Sequence, residues 1–120
     1  MAIPVIGADA PDFALPTDDG GTASKAALAG RKFVLYFYPK DNTEGCTLEA
    51  IDFSARAAAF EAAGTSVIGV SPDSIRSHCR FRDKHALAIR LASDPDHAVC
   101  EAYGVWQEKQ MFGRRYMGVV

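Results

Sequence analysis

The chain has 120 residues, enough for one domain with a modest core. Its net charge of -2, with 48% hydrophobic and 23% charged residues, leaves no basic stripe for nucleic acid and no charge block typical of a disordered tail. The longest strongly apolar run is about seven residues against the ~20 of a membrane helix. The stretch from Met1 to Gly7 also lacks a basic and then apolar leader pattern, so no membrane span and no signal peptide are expected.

In chain order, residues 9–23 read as a short edge segment around Phe13 and Leu15, with a turn at Asp18-Asp19-Gly20-Gly21 closing a hairpin. Ser24 is expected to cap a short helix, Lys25 to Ala29, stopped by Gly30. Lys32 to Tyr38 shows no alternation of polar and apolar residues, which predicts a central strand covered on both faces. After the turn Pro39 to Gly45, a helical pattern (Leu48, Ile51, Ala55, Ala58 or Ala59, Ala62) runs to about Ala63, where Gly64 supplies the stop.

Thr65 to Val70 reads as a second buried strand. Ser71-Pro72-Asp73 looks like a cap, a proline at the first helical position and an acidic first turn, opening a helix to about His85. Ala88 to Ala92 is a third strand, and Asp94-Pro95-Asp96 repeats the cap signal for a short helix ending at Gly104. Val105-Trp106 and Tyr116 to Val120 read as strand pieces around a polar turn, Phe112 to Arg115. Strands alternating with helices predict an α/β three-layer sandwich with a mostly parallel sheet, a single domain over 1–120.

Cys46 is the residue on which a function turns. With Thr43 as N-cap, Glu44, Gly45 and Cys46 take the first three helical positions. A sulfur there can accept bonds from unpaired backbone N–H groups and feel the positive end of the helix dipole, both of which favour thiolate over thiol. Thr43 can place its hydroxyl beside the sulfur, Pro39 offers a rigid wall without an N–H, and Gly45 lets a substrate approach the backbone. Three cysteines at wide spacings are an odd count, which fits thiols kept for chemistry in a reducing, cytoplasmic setting better than a secreted disulfide framework. The histidines 78, 85 and 97, taken with Cys79 and Cys100, fit no zinc spacing, and no cofactor is expected. Trp106, Phe112 and Tyr116 suit core or hairpin packing better than a pocket mouth.

The pattern Pro39-x-x-x-Thr43-x-x-Cys46 resembles the active-site signature of peroxiredoxins. The string from Tyr36 to Thr47 is similar to the bacterioferritin-comigratory-protein, or peroxiredoxin Q, branch. Further matches are Gly69-Val70-Ser71-x-Asp73-Ser74, Ser93-Asp94-Pro95-Asp96, Ala102 to Trp106 and Gly113-Arg114-x-Tyr116-Met117-Gly118, so the resemblance covers nearly the whole chain. It implies a thioredoxin-like fold and a peroxidase acting on hydrogen peroxide and organic hydroperoxides, a monomer reduced by thioredoxin or a similar thiol, with neither nucleic acid nor membrane as partner. Carried onto this chain, it makes Cys46 the peroxidatic nucleophile, Thr43 and Pro39 its neighbours in the site, and Glu49 the residue that orients a catalytic arginine.

The resemblance puts that arginine in a strand following Tyr116-Met117-Gly118, whereas Arg114 and Arg115 match the preceding turn. The chain therefore reads as a peroxiredoxin truncated before its final strand and C-terminal helix, with activity expected to be weaker than that of a longer version. A second reading follows, an impaired fragment acting as a thiol redox sensor or a non-enzymatic domain. The position five residues after Cys46, where some relatives keep a resolving cysteine, is Ile51. Cys79 is the favoured resolving candidate, closing a loop of 33 residues (79 − 46), with an external thiol or Cys100 as the alternatives.

Overall fold

The computed structural model describes residues 4–111 and 114–119. Its centre is a parallel sheet of β3 (Lys32–Phe37), β4 (Thr65–Ser71) and β5 (Arg90–Ser93), ordered β3-β4-β5. Val34 lies opposite Val67 and Tyr36 opposite Gly69, while Ile68 lies opposite Arg90. Before the sheet comes the hairpin β1 (Ala14–Pro16) and β2 (Thr22–Ser24), whose turn is the expected Asp18 to Gly21. One antiparallel bridge from Thr17 to Ala92 fastens that hairpin along the free edge of β5.

The uniform apolarity of β3 conceals a period of two, because both faces are covered. Val34 and Tyr36 pack with Ala50, Phe53, Phe60, Val67, Phe81 and Leu91 on the face covered by helices α1 (Glu44–Ala55), α2 (Ala57–Ala62) and α3 (Ile75–His85). Phe33, Leu35 and Phe37 pack with Phe13, Leu15, Leu28, Ile68, Val70 and Val99 on the other, covered by the β1–β2 hairpin and α4 (Ala98–Ala102). The three-layer expectation holds. The central strand, however, is β4: β3 pairs only with β4 among the described residues and is half-buried over most of its length.

Four other local expectations need correction. The helix after Cys46 is two helices, broken at Arg56, whose φ of -103° and ψ of 5° leave helical geometry. Its far end is as predicted, with Gly64 at φ +70°, a left-handed stop suited to glycine. Residues 25–30 form turns, not a helix, although the Ser24 hydroxyl does accept the Ala27 N–H at 3.1 Å. The α3 cap is Ser74, which accepts from the Ser77 N–H at 3.1 Å, not Ser71. Ser71 ends β4, and its hydroxyl donates to Asp73 at 2.6 Å, so both side chains serve the loop instead.

At the fourth, Asp94 does cap α4, but from further upstream than predicted. His97, at φ 62°, occupies the N-cap backbone position, and the buried Asp94 carboxylate accepts from Val99 (3.2 Å) and Cys100 (2.8 Å). The chain then forms the hairpin β6 (Trp106–Met111) and β7 (Arg114–Val119), as the pattern suggested. Phe112 and Gly113 of its expected turn lie outside the described residues. Trp106 stacks on His97 with ring centroids 3.8 Å apart, a packing role.

Candidate active site

Cys46 lies at the third position of α1, with Thr43 as N-cap in extended geometry (φ -83°, ψ 155°), the placement that the sequence predicts. The first helical bond runs from the Thr47 N–H to the Thr43 carbonyl at 2.8 Å. The N–H groups of Glu44, Gly45 and Cys46 precede it, and none has an acceptor among the described residues. Cys46 is half-buried and packs against the cluster of Tyr38, Ala50 and Phe81, while Gly45 is exposed, with open space where a Cβ would stand. A thiol with one side against aromatic rings and the other open, next to three unspent donors, can bind and attack a small electrophile with a partial negative charge.

The other predicted residues are placed less uniformly. The Thr43 hydroxyl caps nothing in α1; it donates to the Lys40 carbonyl at 2.9 Å. Pro39 is exposed, so it borders the site without sealing it. Glu49 stands one turn after Cys46, and burial raises its carboxyl above the ordinary 4.5. Neither Glu49 nor Cys46 is ion-paired with an arginine among the described residues; Arg115 pairs with Glu108 at 3.6 Å, on the β6–β7 hairpin.

Cys79 is not brought to Cys46. Its thiol points at the Asp18 carbonyl, 3.5 Å away, and Asp18 bonds Leu91 at the outer edge of β5. Cys46 and Cys79 are both unpaired, and the Cys79 thiol faces Asp18 rather than the start of α1. Cys100 is fully buried, and burial, followed by the Asp94 carboxylate, pushes its thiol far above the ordinary 9.0. It is a core side chain, unsuited to attack.

A buried polar cluster under the turn was not foreseen. Tyr38 donates to Asp41 Oδ1 at 2.5 Å; Asp41 Oδ2 accepts from Ser77 at 2.8 Å and lies 2.7 Å from His78 Nδ1. The other histidine nitrogen is 2.9 Å from the Ala92 carbonyl. The Asp41 N–H donates to Asp73 at 2.8 Å. Burial first, then the Asp41 charge, raise the Tyr38 hydroxyl far above its ordinary 10.0. Asp41, Asp73 and His78 present atoms within 4.8 Å of one another, a metal-like grouping, yet each of those atoms has a hydrogen-bond partner in the protein. The only sequence signal was a Tyr38-x-x-Asp41 pair facing a histidine at helical phase with Phe81, and neither spacing nor composition joins residues 37 positions apart.

Fold and site together define a thiol-containing protein of the thioredoxin-like class, with a half-buried cysteine at a helix start. The AhpC/TSA family model matches residues 6–120. The chain is 46% identical over 114 residues to a putative peroxiredoxin bcp of Coxiella burnetii, covering 95% of this chain and 76% of that one. It is 40% identical to the peroxiredoxin Bcp of Escherichia coli, covering 92% and 70%. A structure of Xanthomonas campestris peroxiredoxin Q superposes with a TM-score of 0.83 at 43% identity, over 89% of this chain and 68% of that chain. The chain belongs to the AhpC/TSA family, in its Bcp/peroxiredoxin Q branch, and is a thiol peroxidase; the non-enzymatic reading falls away. A peroxide substrate and a thiol reductant come with that activity. No helix among the described residues is long and apolar enough to cross a membrane.

Proposed function

We propose that Cys46 carries the peroxidase reaction. Its thiolate attacks one peroxide oxygen, forming an S–O bond as the O–O bond breaks; the alkoxide or hydroxide leaves, takes a proton, and Cys46 becomes a sulfenic acid. The observation behind this reading is the sulfur's position at the start of α1, beside the unbonded N–H groups of Glu44, Gly45 and Cys46, which stabilise charge as it develops on the oxygens. Thr43 already spends its hydroxyl proton on Lys40, so toward a peroxide it acts as an acceptor and holds the O–H in line. Pro39 borders the entrance, and Glu49, by the family resemblance, is the residue that orients a catalytic arginine.

Hydrogen peroxide and alkyl hydroperoxides are the proposed substrates; a related Xanthomonas campestris structure is titled for alkyl peroxide reduction. Cys79 is the proposed resolving thiol, with a thioredoxin-like dithiol as reductant and a monomer in the cytoplasm as the working form. The unpaired state of all three cysteines supports the reducing setting. In a stopped-flow assay, Cys46→Ser is expected to lose at least 10³-fold in peroxide reactivity, whereas Cys79→Ser keeps the first oxidation and loses turnover with a dithiol (a loss of about 4 kcal/mol for each 10³). A Cys46→Ser variant that still consumes peroxide would refute the assignment.

A further inference from the structure

Asp41 stands five residues before Cys46, and its carboxylate is spent entirely on Tyr38, Ser77 and His78. Its neighbour Asn42 adopts φ 63°, the left-handed region that asparagine tolerates, and its side chain lies 3.1 Å from His85 Nε2. Both residues of the turn are thus tied to α3, one at each end of the helix. Within α1, Ala50 is the only buried residue, Phe53 stacks on Tyr36 at 4.6 Å and the Ser54 hydroxyl accepts the Ala88 N–H, all from the middle of the helix onward, while Leu48 and Ile51 are 63% and 42% exposed. The direction in which α1 leaves the turn, and with it the place of the Cys46 sulfur, is therefore set at the helix start by Asp41 and Asn42, with Ala50, Phe53 and Ser54 holding the later turns.

The partner in this tie is His78, which is wholly buried, as Asp41 nearly is (side-chain exposures of 0% and 4%). His78 is also the residue immediately before Cys79. Consecutive helical side chains point about 100° apart: His78 turns inward to Asp41 and the Ala92 carbonyl, and Cys79 turns out to Asp18. Cys79 faces Asp18 while α3 is wound, and α3 cannot unwind at Cys79 without pulling His78 out of its site and taking from the buried Asp41 one of its three partners.

We propose that the Asp41–His78 pair is a positioning latch: it holds Cys46 in the geometry that attacks peroxide, and the same contact holds Cys79 back from the Cys46 sulfenic acid. The second half rests on the reading of Cys79 as the resolving thiol. In that step the Cys79 sulfur attacks the Cys46 sulfur, an S–S bond forms, the S–O bond breaks, and the hydroxyl leaves with the thiol proton as water. One contact thus favours the first step of the cycle and opposes the second.

The test uses reduced full-chain wild type, His78→Gln, His78→Asn and Asp41→Asn. Two rates are read: the second-order oxidation of Cys46 by hydrogen peroxide, and the first-order conversion of the sulfenic acid, trapped with a cyclic 1,3-dione and counted by intact mass, into a Cys46–Cys79 disulfide located by peptide mapping. The amide of asparagine takes the place of Nδ1, which faces Asp41, whereas that of glutamine takes the place of Nε2, which faces Ala92. His78→Gln is expected to slow Cys46 oxidation at least tenfold and to speed disulfide formation at least threefold, with His78→Asn close to wild type in both.

A general loss of structure would slow oxidation and free Cys79 in both His78 variants alike, and would not rank asparagine above glutamine. Equal effects of the two substitutions on oxidation, or an oxidation rate in His78→Gln equal to wild type, overturn the latch. Slower disulfide formation in His78→Gln overturns its second half. Wild type that never forms the Cys46–Cys79 bond removes the resolving assignment and that second half together, while the oxidation ranking still decides the first. Should His78→Gln fail to fold, the near-isosteric Asp41→Asn must show the same opposed changes, and their absence there counts against the proposal.

Discussion

A Cβ added to Gly69 would lie 2.7 Å from the Tyr36 hydroxyl and 2.8 Å from its ring carbon Cζ. The ring cannot swing aside, because it stacks on Phe53 at 4.6 Å and on Tyr38 at 5.7 Å. Glycine at 69 is thus required by the side chain that crosses it, not by backbone conformation. Gly69→Ala is expected to lower the free energy of unfolding by about 2 kcal/mol through overpacking, read from urea titration. The Tyr36 hydroxyl itself is buried with no hydrogen-bond partner among the described residues, so Tyr36→Phe should be neutral or stabilising by up to about 1 kcal/mol. The two changes share a contact and should not add: the double variant loses less than the sum of the singles, since one of the two clashes goes with the hydroxyl. Strict additivity would show that Tyr36 moves out of the way. Cys46 and Thr43 were legible at this scale because capping is local and written in adjacent residues. The partners Asp41 and His78 were not, since they meet only after the chain has crossed from β3 to β4 and turned into α3.

At the scale of elements, the two proline signals illustrate what local chemistry can and cannot decide. Ser71-Pro72-Asp73 has the composition of a helix start, but Ser71 is held in β4 and Asp73 is drawn to the Asp41 N–H, so the start moves to Ser74. Asp94 keeps the capping role it was given, through a longer reach to Val99 and Cys100. The break at Arg56 carries no glycine or proline; just before it Phe53 stacks on Tyr36 and the Ser54 hydroxyl accepts the Ala88 N–H at 3.0 Å. These placements predict unequal costs. Ser74→Ala removes one exposed cap bond and should cost about 1 kcal/mol. Asp94→Ala removes a fully buried carboxylate that accepts two N–H bonds and leaves both donors unpaired, for about 3 kcal/mol. Denaturant melts of the two variants check the order; a larger loss for Ser74→Ala would mean that α4 holds without its buried acceptor.

Across the whole molecule, ionisable groups are folded into both layers in their neutral form. Tyr36 and Tyr38 lie under α1 and α3, and Cys100 is on the buried side of α4, on the opposite face of the sheet. Burial is the first cause in each case, and it raises the two hydroxyls above 10.0 and the thiol above 9.0. A group whose folded value is raised binds its proton more tightly in the folded state, so the unfolded chain releases protons first as the pH climbs. The contribution is then complete below the unfolded values and is lost above them. Stability should therefore hold level toward pH 9 and fall beyond it, with Cys100 first and the tyrosines near pH 10, each at up to about 1.4 kcal/mol per pH unit. Thermal melts in steps from pH 8 to 11 would follow the decline, and absorbance at 295 nm would show whether phenolate appears with unfolding or ahead of it. Of four tyrosines, Tyr36 and Tyr38 should ionise only as the fold is lost, and a native-state alkylation at pH 8.5 should mark Cys46 and Cys79 while sparing Cys100. If all four tyrosines titrate smoothly near pH 10 while the molecule remains folded, the aromatic layer beneath α1 is open to water, and the packing that steadies Cys46 is looser than these distances imply.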